Sequence, residues 1–294
     1  MTHPRPQQDV LRESRGLTVP FTLSLLIAAC LLVVSLAGLA FGQRGLYELN
    51  AATLPTFLAQ DVVSLLVGLP LLLGSAWLAR RGSLRGLLVW MGSLFYLSYA
   101  YSFYILGDRL APLFLLYAAI VSMSLYSLLY LLLSTDSEAV RRRFSDRTPT
   151  RWAGSFVAGM GLLMATLWAI AIVDAVLTGT PPSRVQLVVW PLDLVVAFPA
   201  LFWGGVWLWR REPLGYVVGG IVLLKSAAEG LTLVFQTWAS VLMGGPGDPL
   251  VPMYALIGLG GLVLLGLYLR GVTTPSVRGN RRGQLRFLRR GGAV

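Results

Sequence analysis

Residues 191–238 read PLDLVVAFPALFWGGVWLWRREPLGYVVGGIVLLKSAAEGLTLVFQTW. Two apolar blocks flank the short turn Arg210-Arg211-Glu212. Each block is about as long as the roughly 20 residues a helix needs to cross a hydrocarbon core. The stretch therefore predicts a pair of membrane-crossing helices that turn at the arginines. Working outward from it, the same pattern recurs along the chain. Apolar blocks at 19–41, 61–79, 86–106, 112–134, 152–177, 187–209, 214–241 and 251–269 are bounded mostly by arginines, Gly/Pro turns or both.

The 294 residues are 56% hydrophobic and only 13% charged, about half the charged share of a soluble domain. The predicted fold class is all-α: a polytopic transmembrane helical bundle of about eight spans, with both termini cytoplasmic. One transmembrane domain covers 19–269, between a basic leader at 1–18 and a basic tail at 270–294. The moderately apolar segment 42–60 is either an interfacial helix or an ordered outer loop. The first block is longer than the apolar core of a signal peptide and reads as a retained span.

Orientation follows from the arginines. Twenty of the 23 fall in the leader, the tail and alternate connections: Arg80, Arg81 and Arg85, then the 135–151 loop, then Arg210 and Arg211. The opposite connections hold only Arg44, Arg109 and Arg184. The positive-inside bias also accounts for the net charge of +11. The expected partner of the tail RGNRRGQLRFLRR is thus the anionic headgroups of membrane lipid, with Leu285, Phe287 and Leu288 dipping into the interface, and not nucleic acid.

Small residues such as Gly215/Gly219 and Gly154/Ala158, and Gly258, Gly260 and Gly261 in the last block, suit close helix packing. Pro70, Pro191 and Pro199 either kink their helices or are tolerated there. Of the span-three aromatics, Tyr101 and Tyr104 read as an outer interfacial belt, while Tyr96 and Tyr99 lie deeper and need hydroxyl partners. Trp203, Trp207 and Trp209 read as the opposite belt.

Ionisable residues inside spans are costly and point to function. Asp61, Asp174 and Asp193 fall in the outer half, Lys225 lies near the midplane, and Glu229 lies between. Lys225 is the only lysine in the chain; a buried ammonium can lose a proton far more readily than a guanidinium. Lys225, Glu229, Thr232 and Gln236 are spaced four, three and four apart and form one helix face. That face is either the wall of an outward-opening polar site or an internal Lys225–Glu229 ion pair that fixes packing. Asp61, at the start of its apolar block, reads as a helix cap.

No Walker loop, nucleophile elbow or HExxH is present. The lone Cys30 cannot form an intrachain disulfide, and His3 sits in the leader. No metal, cofactor or catalytic residue is expected.

The stretches QDVVSLLVGLPLLLGSAWLARRGSLRG (60–86), LFLLYAAIVSMSLYSLL (113–129) and 191–225 resemble a group of uncharacterised bacterial multi-spanning membrane proteins, over residues 60 to 235. The resemblance implies a bacterial inner-membrane setting and carries no activity.

Three functions are compatible with these residues. The first is transport or binding of a small polar or cationic solute, or protons, through Asp193, Lys225, Glu229, Gln236, Asp174 and Asp61. The second is a structural or sensory subunit held by internal ion pairs. The third is a lysine-linked chromophore or membrane enzyme at Lys225. Oligomeric state is not encoded legibly.

Overall fold

The computed structural model describes residues 17–44, 46–47, 54–106 and 112–273. The leader with His3, the tail, segment 48–53 and Arg109 lie outside these residues. The described chain is helical: α1 (Thr18–Phe41), α2 (Leu54–Arg80), α3 (Leu84–Leu106), α4 (Phe114–Ser134), the short α5 (Ser137–Arg142), α6 (Thr150–Thr178), α7 (Val185–Trp209), α8 (Pro213–Leu242) and α9 (Val251–Arg270). Seven of these, all but α3 and α5, are long and apolar enough to cross a membrane. Side chains such as Leu25, Leu32, Val176, Leu177, Leu259 and Val263 point out of the bundle. Water would not tolerate so broad an apolar exterior, whereas lipid does.

Helix α3 has the length of a span, but Ser93, Ser98, Ser102 and four tyrosines dilute its hydropathy. Its serine hydroxyls turn back onto the carbonyls of Trp90, Phe95 and Ser98. Most of its residues are buried on every side, so its neighbours are protein, not lipid. Helix α8 is the other core element: 67% of its apolar window is buried, against 39% or less in the other six. The two core helices pack against each other.

The chain repeats itself in space with a shift of 129 residues. Helices α2 and α7 each contain a π turn, Ser64–Gly68 and Asp193–Ala197. In both, the next amide reaches back five residues, Leu69 N–H to the Ser64 carbonyl and Phe198 N–H to that of Asp193. A proline follows directly, Pro70 and Pro199. Proline lacks the N–H and crowds the carbonyl four residues back, and the wider π turn relieves both problems. Left-handed residues then mark the connections, Gly82 (φ 90°) and Arg211 (φ 59°). Gly86 and Gly215 follow, and a Cβ at either would strike the backbone of the preceding helix. Two units of four long helices, α1–α4 and α6–α9, are thus joined through α5.

The arginine-bearing ends converge at one end of the bundle. Arg85 donates to the Val272 carbonyl at 2.9 Å, and Phe144 bridges to Val272. Arg211 reaches the Asp146 carbonyl at 3.4 Å.

Three sequence expectations change. Helix α2 begins at Leu54 with Pro55 in its first turn, so part of the 42–60 segment belongs to this helix. Asp61 is therefore about two turns inside α2 and is not its cap. Tyr101 and Tyr104 are 0% and 7% exposed and form no outer belt; they stack on each other with centroids 5.0 Å apart and meet Tyr117. Aromatic rings placed between α3 and α4 are more useful as packing than at the surface, because α3 has no lipid-facing side.

Candidate functional site

The polar face of α8 turns into the bundle. Opposite it, the π turn of α7 presents Asp193, which is 6% exposed. The Tyr99 hydroxyl of α3 donates to Asp193 Oδ1, and the Trp168 indole N–H of α6 donates to Oδ2 at 2.8 Å. Lys225 Nζ lies 3.7 Å from the centroid of the Tyr99 ring. One tyrosine therefore serves two charges: its π face meets the ammonium and its hydroxyl meets the carboxylate.

The Lys225–Glu229 ion pair that the four-residue spacing offers is not closed. Among the described residues the ion pair within 4.0 Å is Arg210–Glu212, at an exposed turn. The ammonium has turned to the Tyr99 ring, a desolvated cation site. Glu229, one turn further along the same face and partly buried, lies within electrostatic reach of Lys225, Asp193, Tyr96 and Tyr99. Its Oε2 is buried without a hydrogen-bond partner.

Gln236, one further turn along, belongs to a second group of contacts. Its Nε2 donates to Gln60 Oε1 at 3.0 Å. Gln60 Nε2 donates to the Tyr96 hydroxyl at 3.2 Å and to Ser64 Oγ at 3.4 Å. Tyr96 lies 2.9 Å from Thr232 Oγ1, which donates to the Ala228 carbonyl at 2.8 Å. A hydroxyl has one hydrogen, so Tyr96 is the donor to Thr232. Gln60 thus donates in both directions and ties α2, α3 and α8 together. An amide nitrogen that only donates passes no proton between its two acceptors, so the polar interior divides at Gln60.

Asp61 lies on the far side of that divide, 0% exposed. Its Oδ2 accepts from the Tyr47 hydroxyl at 2.7 Å, while Oδ1 is buried without a partner. Burial first, then the neighbouring carboxylate, holds the Tyr47 phenol above its ordinary range, so it stays a donor. Nearby, Tyr101 donates to Ser64 at 3.1 Å, and Ser35 lies 3.3 Å from the Tyr101 hydroxyl. With the Tyr101 hydrogen committed to Ser64, Ser35 donates to Tyr101. Asp174 stands apart from both groups: its side chain is exposed near the end of α6.

The structure thus gathers Asp193, Lys225 and Glu229 around Tyr99, joins Gln236 to Gln60, and leaves Asp61 in a separate site and Asp174 outside. Sequence reasoning missed Gln60, Trp168, Tyr47, Ser64 and Ser35. Gln60 stands beside Asp61 in an apolar context, the one signal that could have singled it out. No family model, curated protein or solved structure matches the chain.

Proposed function

We propose that this protein is a multi-pass membrane protein that binds and transfers protons at Glu229. Charge balance carries the reading. The centre holds two carboxylates, the buried Asp193 and the partly buried Glu229, against one ammonium, Lys225. Charges inside a bilayer need compensation, and here one negative charge is left over. Asp193 already accepts two hydrogen bonds and is the anchor. Glu229, with its bare Oε2, is the exchangeable group. A proton needs only that oxygen, whereas a metal ion needs a cage of several oxygen ligands.

The repeat supports the same reading. Membrane transporters are commonly built from two repeats, with discontinuous helices at a site between them. In this chain α7, widened by its π turn at Asp193–Ala197, and the core helices α3 and α8, drawn from both units, meet at the Glu229 centre.

The membrane arrangement belongs to the proposal. Helix α3 is the eighth span, enclosed by the other seven, and both termini face the cytoplasm together with the arginine-rich end. The setting is a bacterial inner membrane, where the basic loops and tail rest on anionic headgroups.

Proton counting tests the assignment. Purified wild type and Glu229→Gln, taken through the same pH jump in unbuffered detergent solution, are compared with a pH-indicating dye. The variant takes up one proton fewer per chain; equal uptake excludes Glu229 as the exchanging group.

A further inference from the structure

The 129-residue repeat sets Ser64 of α2 in the place that Asp193 occupies in α7. Both side chains open a π turn, and both accept from a tyrosine of α3, Tyr101 and Tyr99 respectively. The first unit therefore has a polar centre of its own, with a hydroxyl where the second has its anchoring carboxylate. Its carboxylate sits three residues earlier, at Asp61.

Several features make Asp61 more than a packing residue. It is fully buried, and its Oδ1 has no hydrogen-bond partner. No ammonium or guanidinium lies within 4.0 Å of it among the described residues. The titratable groups facing it are phenols: Tyr47 from the segment before α2, Tyr101 and Tyr104 from α3, and Tyr117 from α4. From α1 comes no charge at all, only the neutral Ser35 hydroxyl and the backbone of Gly38, where a Cβ would collide with the carboxylate. From α8 the neutral Gln236 reaches towards this side through Gln60. The glycine makes room for a carboxyl group at this depth, and the phenols supply no positive charge to balance an anion.

We propose that Asp61 is a second proton-binding site, occupied on Oδ1 and independent of Glu229. Oδ2 is then the carbonyl oxygen, held by the Tyr47 hydroxyl. The Gln60 amide separates this proton from the Glu229 centre, so the two sites load separately. The inference stands on the surroundings of Asp61 and survives if Glu229 transfers nothing.

Infrared difference spectroscopy of the full chain in lipid nanodiscs reads this directly. Wild type is expected to show a protonated-carboxyl C=O stretch that shifts in D2O and is missing in Asp61→Asn. A hydrogen bond to a carbonyl lowers its stretching frequency, so Tyr47→Phe should move that band upward. Glu229→Gln should leave it in place. An Asp61→Asn spectrum identical to wild type in this region overturns the proposal. Should that variant fail to fold, Tyr47→Phe decides: an unmoved band overturns it and an upward shift supports it.

Discussion

The Lys225 ammonium rests on the face of the Tyr99 ring, 3.7 Å from its centroid, while the hydroxyl of the same tyrosine holds Asp193. The two interactions are separable by substitution. Tyr99→Phe keeps the ring and removes the donor, and should cost about 1–3 kcal/mol, the range for a lost bond to a buried charged group. Tyr99→Leu also removes the cation–π contact, worth about 2 kcal/mol or more when desolvated, and should cost more. Thermal unfolding of the two variants in the same detergent checks the order.

Lys225 is the only cation among the buried charges of the centre. Lys225→Met leaves Asp193 and Glu229 uncompensated and should destabilise by about 3–5 kcal/mol, the usual cost of breaking a buried charge pairing. Adding Glu229→Gln removes one of the two negative charges and should recover part of that loss, although no direct ion pair joins the two side chains. A double variant as unstable as the single one would show that Lys225 acts through something other than charge balance.

Gln60 ties three helices with one amide. Gln60→Leu leaves Gln236, Tyr96 and Ser64 short of partners and should cost about 1–2 kcal/mol, the model-peptide range for an interhelical hydrogen bond in a membrane. Asp174→Asn, on an exposed side chain, should stay within about 0.5 kcal/mol of wild type. The contrast is read from melting temperatures.

Gly154 and Gly205 bring α6 and α7 into backbone contact: a Cβ at Gly154 would lie 2.5 Å from the Gly205 carbonyl oxygen. Neither backbone can yield, so Gly154→Leu should prevent assembly of this helix pair. At Gly159 a Cβ meets nothing within 4 Å, and Gly159→Ala should be tolerated. Yield and monodispersity on size-exclusion chromatography separate the two outcomes.

The proposed orientation is open to labelling. With Cys30 replaced by Ser, a single cysteine at Ser145 should react with a membrane-impermeant maleimide only after the cytoplasmic face is exposed. One at Thr180 should react in intact cells. Reversed labelling would contradict the orientation drawn from the arginines.

Local pattern made much of this fold readable. The apolar blocks match α1 to α9 (the short α5 aside) to within a few residues except at the start of α2, which reaches back to Leu54 through a segment that reads equally as an interfacial helix or an outer loop. The four-three-four spacing identified the inward face of α8. Pairing was not readable, because no local period encodes it. Gln60 and Gln236 are 176 residues apart, Tyr96 and Thr232 are 136 apart, and Tyr99 and Asp193 are 94 apart. The fate of Tyr101 and Tyr104 depended on α3 being enclosed, which is a property of the bundle. The π turns were equally silent: Pro70 and Pro199 signalled a disturbance in each helix, but not that it would place Ser64 and Asp193 in corresponding positions.

The central claim is that Glu229 transfers protons across the membrane. Proteoliposomes with a potassium-diffusion potential, negative inside, and a pH-sensitive dye within them measure this most directly. The account predicts internal acidification with wild type and with Asp174→Asn, falling to the level of protein-free vesicles with Glu229→Gln. Acidification by Glu229→Gln at the wild-type rate, or none by wild type itself, would contradict it.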